Sequence, residues 1–179
     1  MALKSTIYKI NLQISDMDRH YYQEHLLTLA KHPSETDERL MVRILAFSLN
    51  ANENLQFTKG LSTDAEPDIW QLNYSDEIEH WIELGQLDEK RIKKACHKAK
   101  RVSLFSYQSG SANVWWNQIK DKLNRFENLH IYHLENDISK QLAQLCTRNM
   151  NLQCTIQDSD IWLSNTETSV EVKCTRWKY

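Results

Sequence analysis

Two acidic residues flank a predicted β-hairpin and are the best candidates for chemistry in this sequence. Asp68 opens the apolar run 68–72, and Glu83 lies near the end of a second run, 78–84. Both runs are rich in β-branched and aromatic residues, and the segment between them is typical of a turn. The pattern therefore predicts a hairpin with one carboxylate near the outer end of each strand.

The register of this hairpin decides whether the two carboxylates meet. If Trp70 pairs with Trp81, Asp68 falls opposite Glu83, because each lies two residues farther from the turn. Like charges directly opposite each other destabilise a sheet, and half-buried carboxylates need a partner. A hard divalent cation such as Mg²⁺, which prefers oxygen ligands, would resolve the conflict. The alternative is that one carboxylate simply faces solvent.

A helix over about residues 34–51 precedes the hairpin and supplies a third candidate carboxylate. Ser34 follows a proline and is the predicted N-cap, with acidic residues in the first turn. On a helical wheel, Glu38 points toward the packed side. The alternative is that Glu38 is a first-turn acid that stays partly solvated. For Glu35 we expect this partly solvated position. The apolar face of this helix consists of Met41, Val42, Leu45 and Leu49. A more polar stripe carries Arg39 and Arg43.

A second predicted helix, opened by Asp88, follows the hairpin and is densely basic from Lys90 to Arg101. Lys93 and Arg91 flank its apolar arc on either side. Such a run is usually a solvated helix face, but its place directly after the acidic pair favours contact with phosphate. The apolar arc consists of Ile92, Ala95, Cys96 and Ala99.

Length and composition predict a single domain over residues 1–179. The chain is 41% hydrophobic and 26% charged, which allows a packed core, and its net charge of −2 excludes a wholly basic nucleic-acid binder. No apolar run approaches the length of about 18 residues that a membrane span needs. The N-terminus lacks a signal-peptide core, and the four cysteines show no CxxC spacing, so we expect reduced thiols in a cytoplasmic protein.

The remaining segments complete a mixed pattern of strands and helices. Residues 20–31 fit a strand or a helix, and a strand paired with the first strand is favoured. Ser109 or Ser111 is the predicted cap of the next helix; a later helix is predicted over 137–148 and a final strand over 169–177. The fold class is therefore α/β: a compact domain whose mixed β-sheet is flanked by helices, with extra β-hairpins from the N- and C-terminal segments.

The order of helix, Pro67-Asp68 strand, Glu83-Leu84-Gly85 strand and helix resembles the PD-(D/E)xK nuclease superfamily. The resemblance implies a restriction-endonuclease-like core in which the Asp and the Glu hold Mg²⁺ and a carboxylate from the preceding helix completes the site. It also implies a lysine two positions after the Glu, where this chain has Gly85. A lysine that has migrated to the following helix would replace it. Lys93 is the better candidate and Arg91 the second, while Gln86 is close enough in sequence to orient water or phosphate.

A second resemblance covers essentially the whole chain and is more specific. Several long strings occur in order that are similar to the YaeQ family of bacterial proteins: HPSETDERLMVRILAF, LQFTKGL, EPDIW, WIELGQLDEKRIKKA and LQCTIQDSDIWLS. The family resembles a compact variant of the PD-(D/E)xK fold, and the resemblance carries a link to transcription elongation.

Three functional hypotheses follow. The first is a nuclease, a phosphodiester hydrolase dependent on Mg²⁺ or Mn²⁺ and acting on DNA or RNA. In it Asp68 and Glu83 bind the metal, Glu38 joins directly or through water, and Lys93 holds water or phosphate. The second is an inactive nuclease-fold protein that binds nucleic acid or a protein partner, favoured by the glycine at the lysine position. The third is a structural or oligomeric role.

Overall fold

The structure is a computed structural model that describes residues 3–179. Within these residues the chain forms eleven strands and four α-helices, with one short 3-10 helix at Gly60–Ser62. Their bounds are β1 (Thr6–Asp16), β2 (Tyr21–Lys31), α1 (Asp37–Asn50), β3 (Leu55–Phe57), β4 (Ile69–Leu72), β5 (Ile78–Leu84), α2 (Glu89–Lys98), β6 (Ala99–Ser106), α3 (Ser109–Leu123), β7 (Leu129–Leu134), α4 (Ile138–Ala143), β8 (Asn149–Gln157), β9 (Asp160–Ser164), β10 (Ser169–Val172) and β11 (Cys174–Lys178).

Contacts divide the chain into two compact units, each assembled from two separate segments. The first unit comprises the described residues up to Leu49 together with Ile138–Lys173, and the second comprises Asn50–Asp137 with Cys174–Tyr179. Both units contain mixed sheets, so the α/β class is confirmed. The single domain over residues 1–179 stays a prediction.

The first unit is built on a five-stranded sheet in the order β10-β9-β8-β1-β2. β1 and β2 form an antiparallel hairpin, which confirms the strand expected over residues 20–31, and β1 also pairs with β8 in parallel. The terminal segments therefore share a sheet of their own. Apolar and polar side chains alternate along β1, so one face of the strand packs into the core and the other is polar. The buried face of β1 consists of Tyr8, Ile10, Leu12 and Ile14.

The second unit is built on a six-stranded sheet in the order β11-β7-β6-β5-β4-β3. β3, β4 and β5 are antiparallel, whereas β5, β6 and β7 are parallel and are connected through α2 and α3. Helices α2 and α3 cover an apolar cluster centred on the fully buried Trp81. The carboxyl ends of the three parallel strands therefore meet at one edge of the sheet, where loops carry polar groups.

Helix α1 begins later than the sequence predicts, and Ser34 as its N-cap is wrong. Thr36 is the cap, since its hydroxyl oxygen accepts the Arg39 amide hydrogen at 3.1 Å. The Ser34 hydroxyl lies 2.6 Å from Nδ1 of His32 instead. The hydroxyl of Ser34 is therefore engaged by the preceding turn rather than by the helix.

The charged residues around the start of α1 also differ from their prediction. Glu35 is only 5% exposed and forms ion pairs with Arg39 at 3.1 Å and Arg43 at 3.0 Å. Arg43 is itself buried. Glu35 is therefore neither solvated nor in the first turn, and Arg43 does not lie on a solvated stripe. Each charge is tolerated inside because the other offsets it.

Three further boundaries differ from the predicted ones. Neither Ser109 nor Ser111 caps α3; the cap is Gln108, in a left-handed conformation with φ 64° and without a side-chain cap bond. Helix α4 is shorter than the predicted 137–148. The predicted strand 169–177 is two strands, β10 and β11, which belong to different sheets.

The basic run after the hairpin is also divided between two elements. Asp88 caps α2 as predicted, accepting the Arg91 amide hydrogen at 2.7 Å. The helix ends at Lys98, so Lys100 and Arg101 lie on β6 instead. Among the helices of residues 3–179, none is both long and apolar enough to span a membrane.

Candidate functional site

The hairpin of β4 and β5 has the register on which the carboxylate site depends. Trp70 pairs with Trp81 and Ile69 with Ile82. One further step along the same register brings Asp68 level with Glu83. Both acidic residues are buried, Asp68 at 3% and Glu83 at 5% exposure. Two carboxylates therefore lie inside the protein at the same end of one hairpin.

Asp68 is held by hydrogen bonds of both its backbone and its side chain. Its amide donates to the carbonyl of Ile82 at 3.2 Å, and its carbonyl accepts from the Thr58 amide at 3.2 Å. Its Oδ2 accepts the Leu84 amide hydrogen at 3.1 Å. The Asp68 carboxylate thus closes the end of the β4–β5 ladder and is fixed within reach of the strand that carries Glu83.

Both carboxylate oxygens of Glu83 have charged or polar partners. Oε2 accepts the indole N–H of Trp81 at 2.9 Å, and Oε1 accepts Nε–H of Arg91 at 2.9 Å and also Nη2–H of the same guanidinium. Trp81 and Glu83 lie two residues apart on β5 and therefore share one face of the strand. The Glu83 carboxylate is desolvated yet fully hydrogen-bonded.

Arg91 connects the carboxylates to the loop that precedes Asp68. Its Nη2 donates to the Glu66 carbonyl at 3.0 Å, and its Nη1 donates to the Asp64 carbonyl. Its guanidinium carbon lies 5.8 Å from the Trp81 ring centre. Burial alone would lower the pKa of Arg91, but the hydrogen bond and charge of Glu83 outweigh it and the pKa is raised. Arg91 is thus a permanent cation beside Glu83.

Lys93, the first candidate for the missing lysine, lies on another side of α2. It is exposed and lines an open groove with Cys96, His97 and Arg125, among others. In the part of the chain that the structure describes, no ion pair joins Lys93 to either carboxylate. The cation that the structure brings to Glu83 is Arg91, the second candidate.

Gly85, which stands where the motif would have lysine, has a backbone reason to be glycine. Its φ is +94°, a conformation that residues with a side chain rarely adopt, and a Cβ there would meet nothing within 4 Å. Its amide donates to the Phe105 carbonyl at 2.9 Å, which ties this turn to β6. Gln86 is turned away to α3, donating to the Ser111 hydroxyl at 2.7 Å.

Glu38 belongs to the first unit, whereas Asp68 and Glu83 belong to the second. Its side chain is half-buried, and its Oε2 accepts the Ser139 hydroxyl hydrogen at 2.8 Å. Glu38 as a third ligand stays a prediction. Over residues 3–179, no group of three or more His, Cys, Asp or Glu side chains is placed so that it could hold a metal ion.

The charges of the site define what it can bind. Two carboxylates lie near one guanidinium, and oxygen donors are what Mg²⁺ and Mn²⁺ prefer. Strand alternation puts Trp81 and Glu83 on one face, and the structure adds the hydrogen bond between the Trp81 indole and the Glu83 carboxylate.

Fold and site together define an α/β protein with a buried pair of carboxylates at the end of a hairpin in a mixed sheet. The family model described as "YaeQ protein" matches residues 1–174. This chain therefore belongs to the YaeQ family.

Relatives of known sequence and structure agree with this family. The chain is 48% identical to "Uncharacterized protein YaeQ" of Salmonella typhi and 47% identical to that of Escherichia coli strain K12, each over 99% of this chain and 98% of the relative. The crystal structure of YaeQ from Xanthomonas axonopodis pv. citri matches with a TM-score of 0.93 and 41% identity, covering 97% of this chain and 98% of that one. YaeQ from Pseudomonas syringae matches with a TM-score of 0.93 and 33% identity, covering 98% of this chain and 97% of that one.

Proposed function

We propose that this protein is a Mg²⁺-dependent phosphodiester hydrolase acting on DNA or RNA, with a restriction-endonuclease-like core of the PD-(D/E)xK kind. One observation carries the proposal: Asp68 and Glu83 are both buried at the same end of the β4–β5 hairpin. Burying a carboxylate costs free energy unless it is paired, and a divalent cation would give the two carboxylates a common partner in addition to the hydrogen bonds that hold each of them.

The residues present fit a divalent cation. Asp68 and Glu83 would hold it. When bound, the metal supplies charge neutralisation at a phosphate and a water of lowered pKa. The same oxygen donors would also bind Mn²⁺.

Arg91 has two roles in this proposal. Its ion pair orients the Glu83 carboxylate while the site is empty of substrate. Its planar guanidinium, with several N–H donors, is also suited to hold the oxygens of a substrate phosphate. Lys93 is the candidate for a more distant phosphate contact, because its side chain is exposed on α2, the helix that also carries Arg91.

Calorimetric titration of Mg²⁺ and Mn²⁺ tests the metal site. We expect the unaltered chain to bind, Glu83→Gln and Asp68→Asn to abolish binding, and Arg91→Met to bind more tightly because the competing cation is removed. Glu79→Gln is the matched control, since Glu79 is on the same strand but pairs with Lys100 on the surface. Binding that survives in both Glu83→Gln and Asp68→Asn would refute the assignment.

Cleavage assays separate metal binding from catalysis. Single- and double-stranded DNA and RNA oligonucleotides are incubated with Mg²⁺ or Mn²⁺ and either the unaltered chain or Asp68→Asn. We expect metal-dependent cleavage that the substitution removes. Metal binding without cleavage of any of these substrates would count against the hydrolase.

A second candidate function rests on the Arg91–Glu83 ion pair itself. Because both oxygens of Glu83 already have partners, the site is stable without metal, as expected of a non-catalytic module that binds nucleic acid or a protein partner. Helix α2 offers exposed cations for such binding: Lys90, Lys93, Lys94 and Lys98.

Oligonucleotide binding across a range of salt concentrations tests this second function. We expect the affinity to fall as salt rises, and the triple variant Lys93→Gln, Lys94→Gln, Lys98→Gln to weaken binding and reduce the salt slope. Lysines of the other unit, such as Lys9 and Lys173, provide the control substitutions. If the α2 variant binds as tightly as the controls, α2 is not the nucleic-acid surface.

A further inference from the structure

A second cluster of reactive side chains lies at the edge of the second unit where β6 and β7 end, and it is independent of the carboxylate pair. Ser106 ends β6 and pairs in register with His133 on the parallel strand β7. The Ser106 hydroxyl lies 2.7 Å from Nδ1 of His133. On the other side of the imidazole, the Ser109 hydroxyl lies 3.4 Å from Nε2. One imidazole is thus placed between two serine hydroxyls.

A strained turn brings the two serines to the same imidazole. Gln108, between β6 and α3, has φ 64° and ψ 71°, a left-handed conformation that is uncommon for glutamine. The turn reverses the chain within three residues, so Ser109 begins α3 beside the end of β6. Asp137 Oδ1 accepts the Ser109 amide hydrogen at 3.2 Å and holds this position.

His133 is buried and oriented by its neighbours. Trp177 stacks on its ring, with centres 4.2 Å apart and planes 15° apart. Burial lowers the pKa of His133, and the charges of Glu135 and Asp137, which act in the opposite direction, only partly offset this. The imidazole is therefore neutral near pH 7 and able to accept a proton.

From this geometry we infer that Ser109 is an activated nucleophile in a Ser109–His133–Ser106 triad and that the protein carries a second activity, the hydrolysis of small carboxylic esters. His133 Nε2 is the base, and Ser106 is a positioning residue that accepts the Nδ1 hydrogen and selects this tautomer. A distance of 3.4 Å is typical of a free triad that tightens when substrate binds.

The first step transfers an acyl group to Ser109. His133 Nε2 takes the Ser109 hydroxyl proton as the oxygen bonds to the ester carbonyl carbon, the ester C–O bond breaks, and the leaving alcohol takes the proton from His133. Water then attacks the acyl-serine in the same way, releasing the carboxylic acid and restoring Ser109. No other reactant is consumed.

Open space and charge around Ser109 indicate the substrate class. Ser109 is half-buried, and the next residue, Gly110, is exposed, with nothing within 4 Å of a Cβ placed there. The Gly110 amide lies in the first turn of α3, where backbone N–H groups have no acceptor within the helix, and is available to a developing oxyanion. Glu135 and Asp137 disfavour an anionic substrate, so a neutral or cationic ester fits.

Another serine–histidine pair shows why proximity alone is not sufficient. The Ser103 hydroxyl lies 2.8 Å from Nε2 of His80, closer than Ser109 lies to His133. Ser103 is completely buried, so no substrate carbonyl has access to its hydroxyl. Ser109, at the start of α3, is only half-buried, so its hydroxyl is accessible to a substrate.

Labelling of the full chain with a fluorophosphonate probe tests the inference. The Ser109 oxygen would displace fluoride and form a stable bond to phosphorus, and peptide mapping would find the probe on Ser109. We expect no labelling of Ser109→Ala, unchanged labelling of the neighbouring Ser111→Ala, and a rate at least ~100-fold lower in His133→Gln. A folded, unaltered chain that is unlabelled, or labelled at another residue, would overturn the triad whatever the variants do.

Ester turnover and its pH dependence complete the test. With p-nitrophenyl acetate we expect a burst of p-nitrophenol equal to the enzyme, because deacylation is slower than acylation. The rate should rise with pH through a midpoint below 6.5, since the neutral His133 is required. Ser106→Ala should shift that midpoint as well as lower the rate. Steady hydrolysis without a burst and without a response to Ser109→Ala would be nonspecific and would reject the activity.

Discussion

Arg91 and Glu83 form an ion pair that is largely removed from solvent, with side-chain exposures of 20% and 6%. The pair joins the start of α2 to the end of β5, and the same guanidinium holds two carbonyls of the loop before Asp68. A change at Glu83 therefore also acts on the packing of α2.

The first prediction concerns this ion pair. Arg91→Met keeps the aliphatic bulk but leaves Glu83 with a buried uncompensated charge, so we expect the free energy of unfolding to fall by about 2–3 kcal/mol, somewhat less than for a fully buried pair. Urea unfolding followed by circular dichroism measures it. The control is Arg125→Met, which breaks the exposed pair with Glu89 and should change stability by less than about 1 kcal/mol. Equal losses in both variants would contradict a structural role for the buried pair.

The second prediction concerns the backbone at the motif position. Gly85→Ala and Gly85→Lys should each destabilise the protein by about 1–2 kcal/mol, because φ of +94° is strained for a residue with a side chain although space is available. Gly110→Ala is the matched control: it also meets open space but lies in α3, and it should be neutral or stabilise by up to about 0.5 kcal/mol. Urea midpoints of the three variants are compared. A stable Gly85→Lys would show that this turn can accept lysine at the motif position.

The third prediction is a loss of stability in mild acid. Burial, with smaller contributions from Arg101 and His130, lowers the pKa of His80 from 6.5 to about 4. The unfolded chain therefore binds a proton below pH 6.5 that the folded chain does not bind until about pH 4. Stability should fall by about 3 kcal/mol as pH decreases across this window. Unfolding free energies at pH 7.5, 5.5 and 4.5 measure it.

The variant His80→Gln supplies the control for the acid effect. It removes the titrating group, so the remaining slope between pH 6.5 and 4 should be shallower than that of the unaltered chain. His130 and His133 also have lowered pKa values and account for part of what remains. An identical slope in both proteins would show that His80 does not titrate as described.

The fourth prediction concerns the four cysteines, all of which are free thiols. Burial raises the pKa of Cys96 and Cys146 to about 11 and of Cys154 and Cys174 to about 12. Because the thiolate is the reactive form, we expect slow reaction with a disulfide reagent at pH 8 in the native protein and rapid reaction of all four in urea. A fast-reacting native thiol would identify an opening that the folded structure does not contain.

The hairpin that carries the candidate site was indicated by local sequence. Alternating side chains and a short turn predicted the hairpin, and the structure has the pairing of Trp70 with Trp81 on which the meeting of the carboxylates depended. The Asp88 cap of α2 was also predictable, because a cap depends on residues within one turn. The register itself was a condition that the sequence left open, and the observed pairing shifts between Gln71 and Leu72.

Contacts between segments far apart in the chain could not be predicted from the sequence. A helical wheel shows that Arg91 and Lys93 flank the apolar arc of α2, but it does not show which flank faces β5, because that depends on how the helix docks on the sheet. For the same reason Glu35 was expected to be partly solvated and Arg43 was placed on a polar stripe, although the two are buried as a pair. The sequence by itself indicated the two strands of the hairpin and an acidic residue at the outer end of each, since these depend on neighbours along the chain. Only the tertiary structure decided that Arg91 meets Glu83 and that His133 lies between Ser106 and Ser109, since these depend on the docking and pairing of elements far apart in sequence.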